Sequence, residues 1–259
     1  MFLNVKYAIV SHSLVHFEER FFQKYNNFLK YKNETVTNIL FFGLYDVIDF
    51  FRLKVFCKKN CTIHLLWGGT DCHTLKHHKF IVKKYPTNRI IHYAISQDIA
   101  NSLKEECIPF LKVFSFSLLN RTFFSLTRLE QNYIPNKIYI YNGLNKGREE
   151  FFGKTIYEKV YQYLIKHNKF QDSQFIFSNC LQKNYKEMKY IYKECFIGIR
   201  LCAKDGNSNT VEEFKVMKKP IIHNSSDYGI QWKNEYDIIE TILAQWGSVQ
   251  DGSQNYAPV

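Results

Sequence analysis

Two acids near the C-terminus, Asp205 and Glu213, stand eight positions apart around the polar turn Gly206-Asn207-Ser208-Asn209-Thr210. Beyond the turn Val211, Phe214 and Met217 recur at helical spacing, and Pro220-Ile221-Ile222 opens a strand. A helix start behind a polar turn has free N–H groups and the positive end of the helix dipole. The amides of Ser208, Asn209 and Thr210 can therefore hold an anion such as a diphosphate. Asn209 is the expected N-cap, and Glu212 completes a capping box. At about 100° per residue Glu212 falls opposite the apolar stripe and Glu213 on its flank. Glu212 then reads as a capping and solvent residue. Glu213 leans over the rim of a cleft, where its carboxylate can accept hydrogen bonds from ribose hydroxyls. A plain capped helix between two strands of any α/β protein has the same pattern.

Other segments carry chemistry-bearing residues at strand ends. Trp67-Gly68-Gly69-Thr70-Asp71 closes an apolar run, at the place where an α/β sheet presents its functional loops. Its paired glycines allow a sharp turn and close approach of a substrate. Read structurally, the segment is a tight turn with Asp71 capping the next helix. Tyr141-Asn142-Gly143-Leu144-Asn145-Lys146-Gly147-Arg148 closes another strand, with Lys154 beyond it. His12 and His16 follow the first strand, and a lone histidine is more often structural than catalytic. Ser96 reads as an N-cap with Leu103 packing inward. Cys72, His73, His77 and His78 include a His-x3-His spacing, and Cys57, Cys61 and His64 precede them. No paired Cys-x-x-Cys accompanies them, so no metal site is assigned.

These residues need elements to position them, and strand and helix signals alternate. Strands are expected at 5–11, 37–45, 61–67, 89–95 and 112–118, with helices at 15–30, 46–56 and 97–107. After an irregular polar stretch at 120–136 the pattern restarts. Strands are expected at 137–141, 174–178, 196–201 and 220–224, with helices at 154–168, 185–193 and 235–246 and a short one beginning near Thr210. Such alternation implies parallel sheets covered on both faces, which bind ligands at the carboxyl ends of their strands. The expected organisation is an N-terminal Rossmann-like domain over 1–132, a second over 133–246 and a disordered tail over 247–259.

With 46% hydrophobic and 17% aromatic residues, the chain of 259 residues has material for sizeable cores and is not a disordered polymer. No apolar run reaches the roughly 18 to 20 residues of a membrane span. The N-terminus lacks the basic leader and small-residue cleavage site of a signal peptide. The seven scattered cysteines suit reduced thiols in a cytoplasmic protein. The net charge of +11 is dispersed, without the clustered basic and aromatic face of a nucleic-acid binder. It suits a protein that holds nucleotide diphosphates and touches an anionic membrane peripherally.

The segment from Asp205 to His223 resembles the donor-binding element of GT-B glycosyltransferases, especially of the glycosyltransferase family 4 (group 1) type. Those proteins carry Glu-x7-Glu, a small-residue helix and a Pro-Val strand. Glu213 and Pro220 fall at the matching places, whereas Asp205 replaces the first glutamate and Lys218 stands where glycine is usual. The Trp67–Asp71 loop resembles the W-x-G-[ST]-D loop that faces the acceptor in some of these enzymes. The resemblance implies two doubly wound Rossmann-like domains facing a cleft, the N-terminal one unusually small. It implies transfer of a sugar from a UDP-, GDP- or dTDP-sugar to a glycan, glycolipid or glycoprotein acceptor, with retention and without a metal. Asp205, Glu213 and Asp71 would serve catalysis. Ser208, Asn209, Thr210 and Glu213, with Lys146 or Arg148 from the loop that supplies cations in this fold, would hold the donor. His12, Gly69 and Asp71 would line the acceptor, and loop 179–183 would meet the base. A nucleotide-sugar epimerase and a catalytically degenerate binding subunit share the architecture.

Overall fold

The computed structural model describes residues 4–69, 71, 82–84, 89–113, 117–143, 147, 149–181, 185–202, 208–224 and 228–252, the side chains of His16 and Tyr185 excepted. These residues divide between Leu118 and Leu119 into two compact units, each built on one parallel sheet.

The first unit runs β1 (Tyr7–Val10), α1 (Val15–Lys24), β2 (Leu29–Lys30), β3 (Asn38–Phe42), α2 (Val47–Lys58), β4 (Thr62–Trp67), β5 (Ile90–Ala94), α3 (Gln97–Glu105) and β6 (Lys112–Val113). The sheet order is β2-β1-β3-β4-β5-β6, with Ala8 opposite Leu40, Leu40 opposite His64 and His64 opposite Ile91. Central strands are buried on both faces, so Ile39, Leu40 and Phe41 are all sealed from water, as parallel sheets require. Ser96 caps α3 by accepting from the Ile99 N–H, and Leu103 is buried, as expected. The helix expected to reach residue 30 ends at Lys24 instead. Tyr25 leaves helical space at φ −112°, ψ 60°, and the chain passes Asn26 and Asn27 into β2 on the edge of the sheet. Among the described residues the sheet has six strands; of the last, expected at 112–118, Lys112–Val113 are described as strand and 114–116 lie outside the described residues.

The second unit opens with α4 (Arg121–Phe124) and α5 (Arg128–Gln131), where an irregular stretch was expected. Phe124 is fully buried near Tyr192, and Glu130 of α5 pairs with Lys189 at 3.0 Å. Residues 119–132 therefore pack with the second sheet, and the division falls before them and not at 132/133. Then come β7 (Lys137–Ile140), α6 (Lys154–Lys166), β8 (Phe175–Phe177), α7 (Tyr185–Glu194), β9 (Cys195–Ile199), α8 (Asn209–Val216), β10 (Ile221–Ile222) and α9 (Glu235–Gln250), in sheet order β10-β9-β7-β8. Alternation along β7 sends Ile138 and Ile140 to a core shared with α6 and α9, and Tyr139 to one shared with α4, α7 and α8. The sheet is wound on both faces. Helix α9 continues through Gly247 to Gln250 with Val249 buried, so the expected tail does not begin at 247.

One buried cation ties the second unit together. Lys219 is 1% exposed, and its Nζ donates to the carbonyls of Lys193 (3.1 Å) and Cys195 (2.5 Å), where α7 passes into β9. Burial pulls its pKa down to about 8. Between about pH 8 and 10.5 the unfolded chain holds a proton that the folded one has lost, so this group makes stability rise with pH across that window. Lys219→Met should remove that slope. Relative to the variant, the native protein is expected to gain up to about 2 kcal/mol between pH 8 and 9.5, measured by urea unfolding. Parallel pH profiles for the two proteins would refute the assignment.

Candidate active site

Strand order fixes where a ligand can sit. In the second sheet the chain goes from β7 outward to β8, then returns to the other side of β7 with β9, so the order reverses between β7 and β9. Loops leaving the carboxyl ends at such a reversal diverge and open a crevice. Here they are Tyr141–Gly143 and Arg200–Cys202. The Arg200 guanidinium lies 3.9 Å above the Tyr141 ring and 5.1 Å from that of Phe152, and the residue is 8% exposed. Its carbonyl accepts from Nδ1 of the buried His223 at 3.0 Å. The aromatic faces orient this planar cation at the end of β9. Sequence reading passed over Arg200, although a charge directly after the buried run Cys195–Ile199 was its signal.

Helix α8 begins beside this crevice. Its N-cap is Ser208, whose Oγ accepts from the Val211 N–H at 3.4 Å. The cap expected at Asn209 is thus one residue earlier, and no capping box with Glu212 forms because Asn209 already lies in the helix. Gly198 lets α8 lie close to the sheet. A Cβ there would stand 2.8 Å from the Phe214 ring. Ser208 and Thr210 are buried and Asn209 is half-buried. Glu213 is 4% exposed and not at a rim. Tyr192 of α7 hydrogen-bonds it, and Tyr139 of β7 lies near it. Burial, and then the charge of Glu213, raises the Tyr192 pKa well above its ordinary value. Glu213 is therefore a carboxyl group set into an aromatic wall one turn along the helix. Asp205, Lys146 and Arg148 lie outside the described residues, while Lys154 is half-exposed in an i,i+4 pair with Glu158 at 3.8 Å.

Where β7 and β8 end, a pocket of about 290 Å³ is bordered by Asn142, Lys154, Tyr157, Phe177 and Asn179. Its base is rigid. The Asn142 N–H donates to Ser178 Oγ (3.0 Å), Ser178 Oγ donates to the Gly143 carbonyl (2.7 Å), and the Asn179 N–H donates to Asn142 Oδ1 (2.9 Å). Of the loop 179–183 expected to meet a base, Asn179 borders this pocket, and residues 182 and 183 lie outside the described residues.

In the first unit the order reverses between β1 and β3, and two aspartates of α2 organise that end. Asp49, 1% exposed, accepts from Ser11 Oγ (2.5 Å) and from the N–H groups of His12 (3.0 Å) and Tyr45 (2.9 Å). Asp46 caps α2, accepts from Ser13 Oγ at 2.8 Å, and stands 3.4 Å from His12 Nδ1. Burial pushes the Asp46 carboxyl up, but hydrogen bonds from Ser13 and the α2 amides, with His12, bring it below its usual value. His12 is thus an exposed imidazole steadied by a carboxylate. Neither aspartate was singled out from sequence, though Asp46-x-x-Asp49 has capping-box spacing.

Asp71 serves a different end. It is fully buried, and its carboxylate accepts from the N–H groups of Leu44 (3.2 Å), Gly68 (3.0 Å) and Gly69 (2.9 Å). Gly69 has φ 145°, a region that L side chains rarely adopt. The two strand-end turns are therefore pinned to Asp71, while His12 is pinned to Asp46. Cys72, His73, His77 and His78 lie outside the described residues, among which no group of three or more His, Cys, Asp or Glu side chains could hold a metal. The six described cysteines are free, and no described helix is long and apolar enough to cross a membrane.

No family model matches the sequence, and no curated protein matches it. Among solved structures, a glycosyltransferase from Rickettsia africae ESF-5 aligns over 95% of this chain and 88% of its own, with TM-score 0.57 and 10% identity. The chain has a glycosyltransferase fold. The pneumococcal O-GlcNAc transferase GtfA, solved with UDP and GlcNAc, aligns over 91% of this chain at TM-score 0.48 and 12% identity. This chain spans about half of that one, 53%. Both Rossmann-like units of the glycosyltransferase fold are present, each with its strand-order reversal.

Proposed function

We propose that the protein transfers a sugar from a nucleoside diphosphate sugar to a glycan or lipid-linked acceptor, with the donor on the second unit. The observation that carries this reading is the juxtaposition at the β7/β9 reversal. Arg200 stacks on Tyr141 directly after β9, and the next described element of the chain, α8, is capped at Ser208 and carries Glu213 one turn in, within a fold that a known glycosyltransferase shares. The amides at Ser208–Thr210 and the guanidinium of Arg200, joined by Lys146 or Arg148, take the diphosphate. Glu213 takes ribose hydroxyls, and the pocket beside Asn142 and Asn179 takes the base. As the glycosidic bond breaks, negative charge grows on the leaving diphosphate, and preorganised N–H groups and cations stabilise it without a metal. The family 4 resemblance adds retention of configuration, with the leaving diphosphate accepting the acceptor's proton and Asp205 steadying the donor.

A donor screen tests this reading. UDP-, GDP- and dTDP-sugars are added singly and the melting temperature is followed, with donor hydrolysis measured alongside. A donor at about a hundred times its Kd stabilises the folded state by about 2.7 kcal/mol, which for a chain of this size is roughly 5–10 °C. One nucleotide class should give that rise and release its diphosphate. Flat melting curves and intact donors across all three classes would sink the proposal.

A further inference from the structure

The first unit carries a groove that the donor reading does not use. It encloses about 460 Å³ along β1 from Ala8 to His12. One wall is α2, through Phe51, Arg52, Val55 and Lys59, and the other is the segment leaving β2, through Tyr31 and Lys32. Two properties define what it can hold.

The first is an apolar stripe facing outward. Helix α2 buries Phe50, Leu53 and Phe56 against the sheet, as an amphipathic helix should. Yet Val47, Phe51 and Val55, one turn apart in succession, are 76%, 67% and 37% exposed, with Ile48 beside them at 41%. An outward row of this kind is unusual on a surface that meets only water. The second property is charge. The groove is lined by four cations, Lys30, Lys32, Arg52 and Lys59, against one carboxylate, Glu18, which already pairs with Lys30 at 2.6 Å. Lys59 Nζ lies 4.8 Å from the Phe56 ring and donates to the Tyr31 hydroxyl at 3.4 Å, which holds the ammonium at the groove wall with N–H groups to spare. Among the described residues no carboxylate pairs with Arg52. A ligand matching both properties has an anionic head and an apolar chain. A free sugar phosphate leaves Phe51 and Val55 wet, and a neutral detergent leaves the cations unmatched.

We propose that this groove binds the phosphate head and adjoining chain of an anionic lipid, and so seats the first unit on a membrane surface. The inference does not depend on the donor reading, since every residue in it belongs to the first unit. Lipid attraction of this kind adds interfacial burial of apolar side chains to about 1 kcal/mol, roughly fivefold, for each basic residue near an anionic surface.

The test is sedimentation with vesicles of phosphatidylcholine alone or mixed with phosphatidylglycerol, followed by NMR titration with dihexanoyl phosphatidylglycerol below its micellar concentration. The full chain should sediment with the mixed vesicles at least about tenfold more tightly than with the neutral ones, and less so as salt rises. Arg52→Glu with Lys59→Glu should weaken that binding at least about tenfold, and Phe51→Ser with Val55→Ser should also weaken it. Melting curves should show all variants folded, because none of the four side chains is buried. The soluble lipid should shift signals of residues lining the groove. Equal binding to both vesicle types, undiminished binding by the charge-reversed variant, or no groove shifts with the soluble lipid overturns the proposal. Tighter binding of a single-stranded oligonucleotide through the same residues does so too. Donor-induced melting shifts in the charge-reversed variant report separately on the second unit, so loss of one reading leaves the other standing.

Discussion

Glu213→Gln is expected to lower sugar transfer about 10- to 100-fold while leaving the melting temperature nearly unchanged. The size follows from the bonds at stake. A carboxylate holding ribose hydroxyls contributes charge-assisted hydrogen bonds worth about 1.5–3 kcal/mol, which a neutral amide only partly replaces. The small effect on stability follows from geometry. Glu213 is buried beside Tyr192, and glutamine fills the same volume and keeps a carbonyl oxygen that can accept from the tyrosine hydroxyl. Removing the negative charge should also lower the Tyr192 pKa toward its ordinary value, which ultraviolet titration can follow, although burial alone keeps it raised. Tyr192→Phe is the companion variant. It takes away the hydroxyl but leaves the carboxylate, and should reduce transfer less than Glu213→Gln does. A Glu213→Gln enzyme with native turnover would show that the carboxylate only completes the aromatic wall, and the donor assignment would go with it.

How much of this was legible in sequence depends on what each residue's environment adds. The central strands announce themselves, since parallel strands buried on both faces read as unbroken apolar runs such as Ile39–Phe42 and Cys195–Ile199. Strand β2 does not. Leu29 and Lys30 are two exposed residues on a sheet edge, and the apolar pattern before them continues that of α1 until Asn26 and Asn27 interrupt it. The helix at Asn209 was visible in its stripe of Val211, Phe214 and Met217, but its cap was misplaced by one because Ser208 and Asn209 are equally good caps. Glu213 shows the limit of a helical wheel. The wheel gives its angle from the helix's own stripe, and says nothing of Tyr139 and Tyr192, which come from other elements and cover that flank. Arg200 and Asp49 follow the same logic. Each looks like an isolated charge near an apolar run until the neighbouring strand supplies Tyr141 for one and Ser11 for the other.

That lesson separates structural from chemical roles at Asp71. The sequence resemblance puts this carboxylate near an acceptor, yet both its oxygens are occupied by amides of Leu44, Gly68 and Gly69. Asp71→Ala should therefore destabilise the first unit by about 3–5 kcal/mol, because buried N–H groups left without an acceptor cost about 1–3 kcal/mol each and their penalties partly add. Asp49→Ala should behave alike, since Asp49 accepts from Ser11, His12 and Tyr45 at the other strand end. Hydrogen exchange gives the sharper reading. The Leu44, Gly68 and Gly69 amides should be protected in the native protein and exchange much faster in Asp71→Ala, while amides of the second sheet keep their protection. Donor binding, measured at a temperature where the first unit of the variant remains folded, should be unchanged. If Asp71→Ala instead melts like the native protein and loses only transfer, its carboxylate acts on the acceptor, and the two turns are held together by the remaining contacts of the β3 and β4 ends.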